Sequence, residues 1–148
     1  MLRGIHPLLT ADLLHALAAM GHGDEIAIVD ANFPASRLGR RVIELAGASS
    51  PQCLDAVLTV FPLDTFAVPA ALTMQVAGEP DAVSPPVADF VAVFADHGLS
   101  HTAMGKLQRT LFYERAANAF AIVRTGELRR YGNILLVKGV INDYEPAR

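Results

Sequence analysis

The chain has 148 residues and a net charge of −3, and 52% of its residues are hydrophobic while 18% are charged. This length predicts a single compact domain over residues 1–148, and the high apolar fraction favours self-association into a homo-oligomer. The scattered basic residues argue against a nucleic-acid surface, and no apolar run approaches the roughly 18 residues that would span a membrane.

The first predicted helix begins after Thr10, whose hydroxyl can cap it, and ends at Gly21. Its apolar face is formed by Leu13, Leu14, Leu17 and Met20. Asp12 and His15 interrupt the apolar pattern of residues 2–20, which is therefore amphipathic and unlike a secretory signal. We expect a cytoplasmic protein.

A short buried strand is predicted at Ile26–Asp30, with a turn at Asn32–Pro34. His22 lies in the loop before this strand, between two glycines that permit a sharply turned backbone. Asp30 lies where the strand reaches the surface, and ligand sites gather at such strand ends in α/β proteins. A histidine and a carboxylate are suited to proton transfer near neutral pH, which makes both residues candidates for a site.

A second helix is predicted to start at Ser50-Pro51, with Ser50 as the cap and Pro51 at the first helical position. Cys53 lies in its apolar pattern and is the only cysteine, which excludes an intramolecular disulfide. An inert core thiol in a reducing compartment is the favoured interpretation. A strand over Ala70–Val76 follows.

The remaining elements continue an alternation of helices and apolar strands. A third helix opens at Ser84-Pro85 and closes at Gly98, and a weak strand pattern covers Lys106–Arg109. The last predicted elements are a helix at Leu111–Phe120, an apolar run at Ala121–Val123, a turn at Thr125–Glu127 and a strand at Ile134–Val140. This alternation predicts a three-layer α/β/α domain, in which we expect a largely parallel central sheet.

Polar residues at the edges of these elements are the remaining candidates for chemistry. The sequence has no Walker loop, dinucleotide fingerprint or Gly-x-Ser-x-Gly elbow, and its histidines lack paired ligand spacing, so no cofactor or metal is expected. The candidates are His22, Asp30, Arg109, Tyr113, Glu114, Tyr131 and Asn133. Each also has an ordinary structural explanation, such as an exposed loop histidine, a turn-capping aspartate or a surface ion pair.

Ordered motifs run along nearly the whole chain. They are Leu2–Leu8, Met20–Ile26, Asp30–Pro34, Phe112–Ala116, Ala119–Val123, Thr125–Glu127, Tyr131–Leu136 and Lys138–Val140. In these motifs the chain resembles the ribose pyranase/L-fucose mutarotase family, often labelled RbsD/FucU. Phe-Tyr-Glu-Arg and Tyr-Gly-Asn-Ile-Leu-Leu are closer to the fucose branch, whereas residues 64–108 depart most from the family pattern.

The resemblance implies an RbsD-like fold and an isomerase, a mutarotase that interconverts the anomers of a monosaccharide, most of all L-fucose, without cofactor or metal. It implies that His22 is the catalytic acid. It implies that the sugar is contacted by Asp30, Arg109, Tyr113, Tyr131 and Asn133, with Tyr113 standing where the ribose branch has histidine. It also implies ring-shaped homo-oligomers, commonly decamers, whose sites are completed by a neighbouring subunit.

Three other functions stay open from the sequence. They are a ribose-pyranase-like interconversion of pyranose and furanose forms, a sugar-binding module without turnover, and a purely structural oligomeric protein. The role of Asp30 is also open, since it could orient His22 or bind a sugar hydroxyl. The physiological sugar is open as well, because one polar contact can decide specificity.

Overall fold

The computed structural model describes residues 1–144 and 146, so the end of the predicted 1–148 domain lies partly outside the described residues. The helices are α1 (Ala11–Ala19), α2 (Ala35–Leu38), α3 (Ser50–Leu58), α4 (Pro85–Asp96) and α5 (Arg109–Asn118), with a short 3₁₀ turn at His101–Ala103. The strands are β1 (Glu25–Val29), β2 (Val42–Leu45), β3 (Ala71–Met74), β4 (Met104–Leu107), β5 (Ala121–Thr125) and β6 (Ile134–Val137). Across the described range, no helix combines the length and apolar character needed to cross a membrane.

The six strands form one sheet in the order β2-β5-β1-β6-β3-β4. Strand β6 runs antiparallel to both of its neighbours, β1 and β3, while the other pairs in the sheet are parallel. The predicted largely parallel sheet is confirmed. Because β6 is reversed, its first residues lie beside the last residues of β1, and this brings Asn133 next to Asp30.

Helices cover both faces of the sheet, which confirms the predicted three-layer arrangement. Successive strand residues point to opposite faces, so Ile26 and Ile28 face one layer while Ala27 and Val29 face the other. The first layer contains α1, α3 and α4, with Leu13, Leu54, Phe90 and Phe94 among its fully buried side chains. The second contains α2 and α5, with Ala35, Phe112 and Ala116 in its core.

Two predicted helix caps have different outcomes. The Thr10 hydroxyl accepts a hydrogen bond from the Leu13 N–H at 3.3 Å, as predicted for α1. The cap of α3 is Ser49, so the assignment of Ser50 was wrong. Gln52 decides this, because its side chain accepts from the Ser49 N–H while the Ser49 hydroxyl accepts from the Gln52 N–H.

The boundaries of several predicted elements also differ from the structure. The Ala70–Val76 and Ile134–Val140 patterns each shrink to a four-residue strand, and the Lys106–Arg109 pattern shifts to Met104–Leu107. The Leu111–Phe120 helix starts instead at Arg109 and ends at Asn118. Helix α2 and edge strand β2 were missed, since each has only four residues and too short a pattern to show a period.

Candidate functional site

A cavity of about 180 Å³ opens at the end of β1 and is called here the Asp30 cavity. It is lined by Asp30, Asn32, Phe33, Met74, Arg109, Tyr113, Arg130, Tyr131 and Asn133. Five of the six predicted site residues therefore share one cavity, and the sixth, His22, lies elsewhere in the chain. The lining combines one carboxylate, amides, phenols and guanidinium groups, which suits a small ligand rich in hydroxyl groups.

The reversed direction of β6 positions the base of this cavity. Asp30 follows the last residue of β1, and Asn133 precedes the first residue of β6, its antiparallel neighbour. The side-chain carbonyl of Asn133 accepts a hydrogen bond from the Asp30 N–H at 2.8 Å. Asp30 in turn accepts from the Asn32 N–H at 3.0 Å, which closes the turn after the strand.

The environment of Asp30 is unfavourable for a negative charge, because only 7% of the residue is exposed to solvent. Burial raises the pKa of the Asp30 carboxyl above its ordinary value, and the nearby charge of Glu127 raises it further. Hydrogen bonds from Asn32, Asn133 and Phe33 lower the pKa and offset part of this effect. Ionisation of the Asp30 carboxyl, at the base of the cavity, therefore lowers the free energy of unfolding.

We expect Asp30→Asn to raise the melting temperature at pH 7. Since the folded pKa is above the unfolded one, folding favours the protonated carboxyl, and stability is lost as pH rises through the folded pKa. The uncharged amide of the variant avoids this loss of stability. The difference in melting temperature between Asp30→Asn and wild type should therefore narrow as pH falls towards about 4. Thermal unfolding across this pH range measures it, with the exposed Asp143→Asn as control. A gap that does not change with pH would contradict the expectation.

A loop from Glu127 to Asn133 carries Tyr131 to the cavity. Glu127 is only 4% exposed, and its carboxylate accepts from the Ser50 hydroxyl and from the backbone and guanidinium of Arg129 at 2.9–3.4 Å. The Arg129 guanidinium lowers the pKa of Glu127 and also pairs with Asp89 at 2.8 Å. The bonds of the buried Glu127 to Ser50 and of the half-exposed Arg129 to Asp89 hold the first half of the loop against α3 and α4.

The second half of the loop has an unusual backbone at Tyr131, whose φ is +63°. A bulky residue rarely adopts this left-handed conformation, and such outliers cluster at functional sites. The Tyr131 hydroxyl accepts a hydrogen bond from the Ala77 N–H at 3.1 Å, so its own proton is available to a ligand. The loop therefore fixes the phenol at the mouth of the Asp30 cavity.

Helix α5 supplies the other two predicted residues. Arg109 and Tyr113 are four positions apart, so both lie on the same face of the helix. The Tyr113 ring packs edge-on against Phe33, with the ring centroids 5.1 Å apart, and Phe33 also packs against Phe112. These contacts fix the ring of Tyr113, while the exposed Arg109 extends into the lining of the cavity.

His22 lies at the opposite end of β1, in a second cavity of about 880 Å³ that we call the His22 cavity. The five residues of β1, at about 3.3 Å each, put roughly 16 Å of strand between His22 and Asp30. The imidazole Nε2 is 3.1 Å from Asp64 Oδ1, and the side chains of His22 and Asp64 are 46% and 5% exposed. Within this chain, then, the carboxylate that contacts His22 is Asp64, and Asp30 lies too far away to do so.

Asp64 is the site residue that the sequence reasoning missed. Its carboxylate accepts hydrogen bonds from the N–H groups of Thr65, Phe66 and Ala67 at 2.9–3.3 Å, in addition to the bond with His22. The Ala67 N–H lowers the pKa of Asp64 most, and the Phe66 N–H and His22 lower it further. Asp64 is therefore held as a carboxylate. One sequence signal could have identified Asp64. An aspartate at the start of a turn often accepts hydrogen bonds from the N–H groups of the residues that follow it.

Comparisons with known proteins agree with this architecture. The sequence model of the RbsD / FucU transport protein family matches residues 3–141. The chain is 42% identical to fucose mutarotase of Homo sapiens over 146 residues, which cover 95% of this chain and 94% of the relative. All six predicted site residues and Asp64 lie within the matched range 3–141.

Two solved structures extend the comparison. The fucose mutarotase of Streptococcus pneumoniae in complex with L-fucose is 36% identical, covers 95% of this chain and 99% of its own, and superposes with a TM-score of 0.89. RbsD of Bacillus subtilis in complex with D-ribose is 22% identical, covers 92% and 97%, and has a TM-score of 0.72. Because its identity to this chain is only 22%, the similarity to RbsD is evidence for the fold alone.

Proposed function

The chain belongs to the RbsD/FucU family, and on that premise we propose that it is a monosaccharide mutarotase, an isomerase that interconverts the α and β anomers of L-fucose. The observation that carries the proposal is the 42% identity to human fucose mutarotase over 95% of the chain. The polar lining of the Asp30 cavity and the His22–Asp64 pair supply groups that this reaction needs. The ribose reaction has less support, because the RbsD structure shares only 22% identity with this chain.

The reaction needs two proton movements and no change in oxidation state. The cyclic hemiacetal opens when its anomeric hydroxyl loses a proton and its ring oxygen gains one, which breaks the bond between the anomeric carbon and the ring oxygen. The free aldehyde rotates about its bond to C2. The ring then closes on the other face and both protons return, so atoms and electrons balance without a co-reactant.

We assign the proton at the ring oxygen to His22, whose imidazole can donate it and take it back when the ring closes. Asp64 fixes the imidazole through the 3.1 Å bond to Nε2 and is a positioning residue. Asp30 and Asn133 offer acceptors for sugar hydroxyls, while Arg109, Tyr113 and Tyr131 offer donors. Asp30 is thus proposed as a substrate ligand, and not as the group that orients His22.

We further propose that a complete site forms only between subunits of a homo-oligomer. The separation of His22 from Asp30 by the length of β1 supports this, because one hexose is too small to reach both residues within a single chain. Exposed apolar side chains beside His22, namely Phe66 and Val68, are also consistent with a face that a neighbour approaches. The ring-shaped decamer and the cytoplasmic location implied by the family resemblance belong to this proposal.

The proposed function is tested by saturation-transfer NMR on the anomeric protons of L-fucose with catalytic amounts of protein. Saturation of the α signal should reduce the β signal at a rate proportional to protein concentration, and D-ribose should show a weaker effect. Binding without exchange would identify a sugar-binding module and overturn the enzyme assignment. Absence of both binding and exchange with either sugar would favour a structural protein.

A further inference from the structure

A large aromatic side chain stands exposed at the His22 cavity. Phe66 is 76% exposed and lines this cavity, with its ring centroid 5.6 Å from that of the His22 imidazole at an interplanar angle of 58°. Phenylalanine is among the residues most often fully buried, so a ring held in the open beside a candidate acid needs an explanation. Its position suits contact with whatever His22 acts upon.

One oxygen atom of Asp64 contacts both the His22 imidazole and the backbone of Phe66. Asp64 Oδ1 lies 3.1 Å from His22 Nε2 and also accepts from the Phe66 N–H at 3.3 Å. The second carboxylate oxygen accepts from the Ala67 N–H at 2.9 Å, which holds the segment after Phe66. The same carboxylate therefore sets the imidazole and the backbone that carries the aromatic ring, so their separation is built into the fold.

The chemistry of a pyranose places an apolar group near the ring oxygen. In a hexopyranose the ring oxygen is bonded to C5, which carries C6, so C6 is two bonds from the atom that His22 protonates. In a 6-deoxy sugar C6 is a methyl group, and in the 6-hydroxy counterpart it is a hydroxymethyl group. A side chain fixed beside His22 therefore meets the substituent in which these sugars differ.

We propose that Phe66 is a specificity-determining residue whose ring packs against the C6 methyl group of a 6-deoxy monosaccharide while His22 reaches the ring oxygen. Leu72, Leu107 and Val137 add apolar surface to this cavity, whose charged lining residues include Glu25, Lys106 and Arg115. An aromatic face stabilises a methyl group by burial and leaves a hydroxymethyl group without a hydrogen-bond partner. The inference rests on the proposed function, because it takes His22 as the acid.

The test compares L-fucose with L-galactose, which has the same configuration and differs only in carrying a hydroxyl on C6. We expect Phe66→Ala to lower kcat/KM for L-fucose about tenfold, the size of effect that one apolar contact gives in a pocket. Exchange of L-galactose should change little, so the preference for L-fucose should collapse. Phe66→Tyr should retain the preference because it keeps the ring face. Tyr144→Ala removes another exposed aromatic ring, outside both cavities, and is the matched control.

Dissociation constants of both sugars, measured by calorimetry on the same variants, separate the two hypotheses. If the wild type binds L-fucose more tightly but shows no exchange, and Phe66→Ala loses that preference, the specificity role stands while the mutarotase assignment fails. If the ratio of the dissociation constants for L-galactose and L-fucose is the same in wild type and Phe66→Ala, the role of Phe66 is overturned, whether or not exchange occurs. A change of oligomeric state in Phe66→Ala with an unchanged ratio would also overturn it.

Discussion

Replacement of His22 by alanine should reduce the exchange of L-fucose anomers by at least a hundredfold, because a positioned acid or base typically contributes 10²–10⁴-fold. The fold should persist, since the His22 side chain is 46% exposed and its loop is held by other bonds. The Gly23 N–H donates to the Lys138 carbonyl at 2.8 Å, and the Gly21 N–H donates to Asp24 at 2.7 Å. Saturation-transfer NMR gives the rate, and thermal unfolding checks the fold.

His15→Ala is the matched control for this variant. His15 lies on the exposed side of α1, where alanine is a good helix former, and it lines neither cavity. Its exchange rate should equal that of the wild type. A rate close to wild type in His22→Ala would remove His22 from the mechanism, whereas loss of exchange together with unfolding would assign the residue a structural role.

Five of the residues that line the Asp30 cavity could be singled out from the sequence because they follow or precede clear elements. Asp30 ends an apolar strand, Asn133 precedes another, and Arg109 and Tyr113 share the start of one helix. Ends of strands in an α/β sheet are where ligands bind, so these polar residues were natural candidates. Their gathering in one cavity depends on β6 being antiparallel, a property of topology that no local pattern reveals.

The environment of His22 was less accessible to prediction because it depends on a contact across 42 positions in the chain. Asp64 lies in the region that departs most from the family pattern, and its partners are backbone N–H groups, which any residue except proline provides. Glu127, whose charge adds to the effect of burial in raising the pKa of Asp30, was likewise taken as part of a turn. Long-range pairs of this kind are decided by packing and leave no periodic signal.

The separation of the two cavities leads to a prediction about mixed oligomers. A subunit with His22→Ala retains a normal Asp30 cavity, and a subunit with Asp30→Asn retains a normal His22–Asp64 pair. If each site takes His22 from one subunit and the Asp30 cavity from its neighbour, a mixed oligomer contains some sites in which both parts are intact. With random mixing in equal amounts, about a quarter of the sites should be intact, so exchange should return to about a quarter of the wild-type rate.

The experiment uses co-expression of the two variants with different affinity tags and isolation of the oligomers that carry both. Each variant purified alone should show almost no exchange, and the mixed oligomer should show the restored rate with L-fucose. Restoration requires only that the contact between subunits brings His22 of one subunit to the Asp30 cavity of another, because the two residues lie at opposite ends of β1. A mixed oligomer with no more activity than the separate variants would contradict a shared site. It would then require a rearrangement within one protomer that shortens the distance now set by the five residues of β1.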